Sequence, residues 1–542
     1  MGIFDNIRTN RELKIAKAEN ELVKVKANTM ALKAKMDIME RFTNTGYSHG
    51  GAASGKTWTD GYDAKSLSPE SDIEENRKTL RERSRDLAMN APIASAAVNS
   101  TRTNVVGEGL SPKPKVDADT LGISPEEARH LNQKIKKEFS LWAENKQCDA
   151  TDTSDFYEMQ QIAFLDWLKN GEEFIGISYG DTSLLMPYQL RLKLIEADRI
   201  CTPNSFGGDY ACSNIKVGNN VIMNGIEIDS TGKVVAYHVC STNPGEFKGQ
   251  KRWTRTPKRG TKTGNLNMIH LYSAERAEQY RGVPFLASVI LPIKQVTRYT
   301  EAEIMAAVVN AMFAIFITTE DGNEPEDFTG EIEDEYGTPQ KDLDLKDRFK
   351  LGTGTINFLK TGEGVNAVES SHPSGAYEQF INTMALQVGA ALEVAPEVLL
   401  KSFKSNFSAS KGAINETWKA YSMRRKWFVS DFCQQVYEIW FAEAVAKGRI
   451  NAPGFFLDPL IRKAYLNATW TGPSQSYLNP AVEVNAAVTR IMNGLSTHED
   501  ECASINGSDY EDNIRTLEIE NEQLAKANRV FTEDRDNGKD QA

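Results

Sequence analysis

The stretch of this chain most suggestive of chemistry is Gly50-Gly51-Ala52-Ala53-Ser54-Gly55-Lys56-Thr57. It fits the pattern G-x-x-x-x-G-K-[ST], in which backbone amides wrap a phosphate at the start of a helix and the lysine reaches the outer phosphates. Such a loop needs a buried strand leading in and a helix leading out. Here the residues from Arg41 to His49 are polar, and Trp58-Thr59-Asp60-Gly61-Tyr62-Asp63 is turn-like. No run of four apolar residues ending in aspartate follows to hold magnesium. The context argues against a nucleotide site, and a P-loop NTPase stands only as the alternative reading.

Other reactive side chains are scattered. The histidines, His49, His130, His238, His270, His372 and His498, form no H-E-x-x-H, and there is no G-x-S-x-G. The cysteines, Cys148, Cys201, Cys212, Cys240, Cys433 and Cys502, include no C-x-x-C pair, which predicts free thiols in a reducing compartment. The adjacent acids Glu172 and Glu173 cannot be given acid and base roles by spacing alone. The cationic cluster Lys248, Lys251, Arg252, Arg255, Lys258, Arg259 and Lys262 around Trp253 is the best simple nucleic-acid patch in the chain, but an exposed hairpin loop is the better reading of it. These patterns predict no catalytic residue, no cofactor and no metal ligand.

The elements that must position such residues are many. A chain of 542 residues exceeds one ordinary domain, and eight tryptophans supply apolar area for large cores. A formal net charge of −12 argues against a free-standing cationic nucleic-acid binder, whose affinity rests on Lys and Arg neutralising phosphates. It does not exclude a protein past which DNA slides. The apolar run from Ile304 to Ile317 is broken by Asn310 and is shorter than the ~18–20 residues a membrane span needs, so it predicts a buried helix. The start Met1-Gly2-Ile3-Phe4 carries no apolar signal region.

Arg8 to Met39 reads as one charged helix with a ragged apolar stripe, either a solvated arm or a contact with a neighbour. A Gly/Ser/Thr/Asp linker follows over 43–72, then helix from about Ile73 to Val98. Ser124-Pro125-Glu126-Glu127 is a helix start, with Leu131, Ile135, Phe139 and Trp142 on one face. A helix from Ser154 to Leu168 stops at Asn170-Gly171. From Glu173 to Tyr272 the period shifts toward two, with a hairpin from Gly225 to Val239 turning at Ser230-Thr231-Gly232. A helix from Pro284 to Phe316 leads to an acidic insert, Glu320 to Asp347, where twelve Asp/Glu face only Lys341 and Lys346. Helices resume over Ala376–Leu392 and Gly412–Ala446, the second with Trp418, Tyr421, Phe428, Phe432, Val436 and Trp440 as a core stripe. The stretch from Pro480 to Ala527 is helical, and a polar tail follows.

In this order the chain resembles the lambda-type portal proteins of tailed bacteriophages over roughly residues 75 to 525. The resemblance is carried by Leu80-Arg81-Glu82-Arg83-Ser84-Arg85-Asp86-Leu87, Asn104-Val105-Val106-Gly107-Glu108-Gly109, Asn170-Gly171-Glu172, Ile195-Glu196-Ala197-Asp198-Arg199-Ile200 and Ile269-His270-Leu271-Tyr272. It continues through Gln279-Tyr280-Arg281-Gly282-Val283-Pro284, the Ala-rich helix, Gly389 to Leu400, Phe407-Ser408-Ala409-Ser410, Thr469-Trp470-Thr471-Gly472-Pro473 and Asn493-Gly494-Leu495-Ser496-Thr497. Two departures, Asn479-Pro480 for a frequent Asp-Pro and a missing Pro-Gly within Arg276-Ala277-Glu278-Gln279, touch no catalytic position.

The resemblance implies an α+β, mainly helical multidomain subunit with wing, stem, clip and crown and a β-rich module, assembling as a ring that is as a rule dodecameric. It divides the chain into an arm and linker (1–72), a wing with the β-rich module (73–283), a stem helix (284–319) and an acidic clip (320–350). Returning stem and wing helices (351–400), a tunnel loop (401–411), a wing helix and connection (412–474), and crown helices with a tail (475–542) complete it. It implies that Lys401, Lys404 and Lys411 approach DNA in the bore, and that Glu331, Glu333, Asp334 and Glu335 face the packaging motor. The implied partners are further copies of the chain, the terminase large subunit, major capsid and scaffold proteins, head-completion or adaptor proteins, and double-stranded DNA passing without sequence preference; no membrane is involved. The implied place is the portal vertex of the virion capsid, with the host cytoplasm during assembly. A capsid scaffold without a channel is the other non-enzymatic alternative.

Overall fold

The computed structural model describes residues 17–18, 21–33, 64–203, 214–246, 250–311, 314–318, 355–359, 377–402, 407–475 and 480–526. Met1–Ser68 forms one unit and the chain from Pro69 onward a second. In the first unit, 21–33 is helical and its side chains are exposed, Leu22, Val25, Met30 and Leu32 among them.

The second unit opens with α1 (Pro69–Asn90) and α2 (Pro92–Val105). The sequence pattern suggests one continuous helix here, but Pro92 forces a break. Ala91 before it sits at φ −104, ψ 116, because a following proline disfavours helical backbone. After β1 (Ser111–Pro114) and α3 (Ala118–Leu121), α4 (Pro125–Ala143) starts as its sequence predicts: the Ser124 hydroxyl accepts from the Glu127 amide while the Glu127 carboxylate accepts from the Ser124 amide. Helix α5 (Phe156–Asn170) has the same device built from Asp155 and Glu158, and ends at Gly171 in left-handed conformation.

Strands β2 (Glu172–Tyr179) and β3 (Leu190–Ile195) pair antiparallel. An antiparallel meander follows, β4 (Ile215–Val217), β5 (Asn220–Met223), β6 (Ile226–Ile228), β7 (Val234–Cys240) and β8 (Trp253–Pro257), and β9 (Met268–Tyr272) returns to the far side of β2. The β6–β7 hairpin is the one the sequence pattern predicts. Its turn is closed by the Asp229 carboxylate, which accepts from the Thr231 and Lys233 amides.

Next comes α6 (Ile290–Ala311). The expected helix to Phe316 stops short, because Ala314–Thr318 is a strand, β10, paired in parallel with β11 (Thr355–Leu359). Its Ile-Phe-Ile-Thr run is β-branched and aromatic, which favours pleated backbone over helix. The chain then forms α7 (Tyr377–Leu392), α8 (Pro396–Leu400), α9 (Phe407–Phe428), a π turn at Val429–Cys433 and α10 (Gln434–Ala446). Helix α11 (Pro459–Leu466), β12 (Ala468–Thr471) paired to β1, α12 (Pro480–Met492), α13 (His498–Ile505) and α14 (Tyr510–Lys526) complete the described elements.

The π turn has a packing role. Phe428, Phe432, Val436 and Trp440 recur every four residues, and in an ideal α-helix each step would drift about 40° around the axis. One wider turn absorbs part of that drift, and all four side chains are fully buried. They meet an aromatic core centred on Phe139, whose ring lies 5.0 Å from Trp440, 5.6 Å from Trp142 and 5.9 Å from Phe156. A second, smaller core of Phe174, Ile195, Ile200, Ile226, Tyr237 and Met268 joins the two sheets. Arg425 staples the helical layer from inside. Its guanidinium donates to the carbonyls of Val105 (2.9 Å), Asn104 (2.7 Å) and Pro473 (2.8 Å).

Because Phe139 is central to the aromatic packing, Phe139→Ala is expected to cost about 3–5 kcal/mol. A denaturant titration that found less than ~1 kcal/mol would move the centre of the core elsewhere.

Candidate functional site

The elements with the most charged chemistry converge on one carboxylate. Glu172 is the first residue of β2 and is completely buried. It accepts from Arg81 Nη2 at 2.5 Å, from Arg281 Nε at 2.8 and 2.9 Å to its two oxygens, from His270 Nε2 at 2.9 Å and from the Gly282 amide at 3.2 Å. Around it, Asp198 joins Arg81 and Arg85, each at 2.6 Å, and Arg85 also reaches Asn170 Oδ1 at 2.6 Å. Arg281 spends its remaining donors on the carbonyls of Ile200, Ala197 and Asn224. Helix α1, the end of α5, the turn Ala197–Arg199, strand β9 and the segment entering α6 are thus tied to a single point.

Backbone geometry makes that approach possible. Gly171 adopts φ +86, and a Cβ on Gly282 would lie 1.9 Å from the Gly171 carbonyl oxygen. The two chain segments therefore touch backbone to backbone, and only glycine fits. Gln279 fixes the loop ahead of Arg281, since its side-chain Oε1 accepts from the Glu275 and Arg276 amides and its Nε2 donates to the Arg281 carbonyl.

The electrostatics divide two adjacent carboxyls. Burial alone would raise the pKa of Glu172, but Arg281, His270 and Arg81 outweigh it and hold it well below the usual carboxylate range. His270 is lowered, because burial outweighs its bond to Glu172, so it is a neutral ring whose Nε2 carries the proton. That ring is stacked between Phe174 (4.1 Å) and Tyr272 (4.3 Å). Glu173, on the opposite face of the strand, is pushed well above the usual range by burial and then by Asp166. One of its oxygens has no hydrogen-bond partner. Asp166 itself is raised to about 6, chiefly by burial.

This arrangement is a structural clamp. Glu172 at its centre is enclosed by its partners, and among the described residues no group of His, Cys, Asp and Glu could hold a metal ion. Sequence spacing assigned Glu172 no role, and nothing local in the sequence would have done so. The one signal was that Arg81, Glu172, Asp198, His270 and Arg281 all lie in the segments that carried the family resemblance.

The residues singled out from sequence lie elsewhere. Lys401 is exposed, at the left-handed end of α8. Lys411 lies within α9, paired to Glu483 at 2.8 Å. Lys404, Glu331, Glu333, Asp334, Glu335 and the Gly50–Thr57 motif fall outside the described residues. The cationic cluster is dispersed: Arg255 binds both oxygens of Glu227, Lys251 donates to the Pro244 carbonyl, and Lys248 is outside the described residues.

Comparison with known proteins gives a consistent result. The family described as phage portal protein, lambda family, matches residues 56–425, a span that contains every residue of the clamp. The chain is 25% identical to portal protein B of Escherichia phage lambda over 452 residues, 79% of this chain and 81% of that one. It is 24% identical to the portal protein of Escherichia phage N15 over 484 residues, covering 86% and 88%. Among solved structures, a chain from the neck of a native GTA particle aligns with TM-score 0.36 and 10% identity, covering 79% and 92%. A chain from the virion of a native gene transfer agent particle aligns with TM-score 0.37 and 11% identity, covering 79% and 92%.

The two carboxyls predict opposite responses to pH. Glu172→Gln leaves Arg81 and Arg281 buried without their anion and is expected to cost about 3–5 kcal/mol near neutral pH. The stabilisation from Glu172 is present above the ordinary glutamate pKa and is lost as pH falls through its depressed value. Glu173 has the reverse sign: as pH rises past the ordinary glutamate pKa the unfolded chain ionises first, so the native state loses ground. Glu173→Gln should therefore be more stable than the parent at about pH 8, with the gap closing toward about pH 4. Denaturant midpoints across pH decide it, and a gap independent of pH would contradict the assignment.

Proposed function

This chain belongs to the lambda family of phage portal proteins, and we propose that copies of it close into a ring around an open bore at one capsid vertex, through which DNA is packaged and later released. Its function is that of a portal protein, with its place in the virion capsid, and portal proteins are structural. The observation that carries the reading is the family match over residues 56–425.

Surface chemistry supports self-association. Helix α6 leaves Leu291, Ile304 and Met305 exposed, the last at 64%, and α12 exposes Val484, Val488 and Met492 at four-residue spacing. Apolar faces of this kind on separate helices suit subunit contacts, and a closed ring needs two different faces per copy, repeated by rotation. In this reading α6 enters the stem and the acidic stretch 320–350 is the clip. The carboxylates Glu331, Glu333, Asp334 and Glu335 suit a basic surface on the terminase during packaging and on head-completion proteins afterwards. Lys401 and Lys404, with Lys411 behind them, give a weak contact with phosphates that is blind to sequence. A denser basic lining would hold DNA too tightly to let it move. The helices from Pro480 onward form the crown, and assembly takes place in the host cytoplasm with capsid and scaffold proteins.

Negative-stain microscopy of the purified full chain is expected to show rings with a central hole; monomers or filaments would overturn the reading. Met305→Glu should shift the population from rings toward monomers by light scattering. Neither the parent nor Lys56→Ala should turn over ATP, whereas turnover in the parent that vanishes in Lys56→Ala would establish the nucleotide-loop alternative.

A further inference from the structure

A cleft of about 920 Å³ opens between the β-rich module and helices α10 and α11. Its module side is formed by β7, β9 and the turn after β8, including Tyr237, Tyr272 and the stretch Lys258–Arg259. Its helical side includes Glu438, Glu443 and Arg462, with Phe456 just ahead of α11.

The cations in this cleft are short of partners. Among the described residues, no carboxylate lies within ion-pairing distance of Lys258, Arg259 or Arg462. Arg259 donates only to the Gly264 carbonyl, 3.1 Å away, and Arg462 rests over the Phe455 ring at 5.1 Å without a hydrogen bond. Lys258 and Arg462 are both half-buried. Burial lowers the Lys258 ammonium, and Arg259 and Lys233 push it the same way. Partly buried cations are ordinarily paired, because water no longer solvates them fully. Elsewhere many such cations are satisfied: the arginines of the clamp are saturated, Arg449 holds a carboxylate, and Arg191 and Arg425 each donate to several backbone carbonyls. Lys258 and Arg462 lack such partners, and the exposed Arg259 beside them brings a third cation without a carboxylate to the same cleft.

The two acids on the helical wall do not compensate. Glu443 is taken up by the Gln189 and Leu190 amides and by Lys447 at 3.1 Å. Glu438 meets only Gln434 Nε2, at 3.5 Å.

We propose that this cleft is a docking site for an acidic peptide segment of a partner protein, whose carboxylates pair with Lys258, Arg259 and Arg462 while an aromatic side chain packs against Tyr272 and Phe456. The volume exceeds what one small inorganic anion would fill, and a nucleic-acid duplex is too wide to enter it. Glu438 on the opposite wall selects further. A strand carrying a phosphate at every nucleotide would bring charge against it, whereas a peptide places its carboxylates only where the cations are. The turn carrying Arg259 is preformed, since the Gly260 amide donates to the Asn265 carbonyl and the Gly264 amide to the Gly260 carbonyl, both at 2.8 Å. Little ordering cost therefore falls on the protein.

The test uses the full chain and a fluorescein-labelled octapeptide of alternating Glu and Tyr, read by anisotropy. Lys258→Ala with Arg462→Ala should weaken binding at least about tenfold, and added salt should weaken it further. Glu438→Gln should tighten binding about two- to threefold by removing a like charge, an effect that damage to folding would not produce. Lys262→Ala, on the exposed side of the same turn, should leave affinity unchanged. The proposal is overturned if the octapeptide fails to bind below about 1 mM. It is equally overturned if the double variant binds as the parent does, or if a single-stranded octanucleotide binds more tightly than the peptide at the same salt.

Discussion

The second unit is organised around the desolvation of one carboxylate. Taking Glu172 out of water costs several kcal/mol, and the cost is offset only because its oxygens are met by two guanidiniums, an imidazole and a backbone amide. These partners come from far apart in the chain: Arg81 is 91 residues away and Arg281 is 109. Removing Glu172 strands two guanidiniums, and removing either arginine or a neutral donor weakens the solvation of a buried anion, so the cluster tolerates little displacement of α1, α5, β9 or the approach to α6. A hydrophobic contact of the same area would permit sliding. A hydrogen-bonded charge cluster with fixed donor directions does not.

Local devices were legible in the sequence, and long-range ones were not. The capping box of Ser124 and Glu127, the glycine stop at Gly171 and the hairpin around Thr231 and Gly232 each involve residues a few positions apart, so their spacing is their geometry. The core stripe of α9 and α10 could be read because burial follows helical periodicity, although the π turn that keeps it facing inward could not. The clamp was invisible for the opposite reason: an ion pair spanning about a hundred residues leaves no periodic trace. The break at Pro92 and the strand at Ala314–Thr318 show local chemistry overriding a longer pattern, once through proline sterics and once through β-branched residues continuing an apolar run. The lysines of 401–411 were legible as residues but not as neighbours, since the Lys411 partner, Glu483, is 72 positions on.

Several arginines serve the interior of this protein. Arg81 and Arg281 are buried with Glu172, Arg425 donates to three carbonyls, and Arg424 donates to the Leu392 carbonyl and to Glu393. A planar fork of donors suits such stapling better than the point charge of lysine. The consequence reaches the surface. Carboxyl groups are buried alongside the guanidiniums, so among the described residues the interior takes up both signs and the exterior keeps the anionic balance of the net charge of −12. For the proposed conduit, which would release DNA as well as admit it, this is the favourable sign, because each surface cation facing phosphate adds to a cumulative attraction.

The distribution of polarity also bears on assembly. Charge is buried at the clamp while large apolar side chains, Leu291, Ile304 and Met305 on α6 and Leu386 on α7, face outward. An isolated subunit gains little from that pattern, since exposed apolar area is unfavourable and is a hazard for non-specific association. The pattern becomes favourable when neighbours cover those faces, because the clamp has already fixed the segment that leads into α6. Rigidity bought inside the subunit by ionic contacts lowers the ordering cost of contacts made between subunits. The same logic separates the Lys258 cleft from the clamp behind it. Strand β9 places His270 against both, with its Nε2 committed to Glu172, so the cleft presents unpaired cations from a wall that cannot yield.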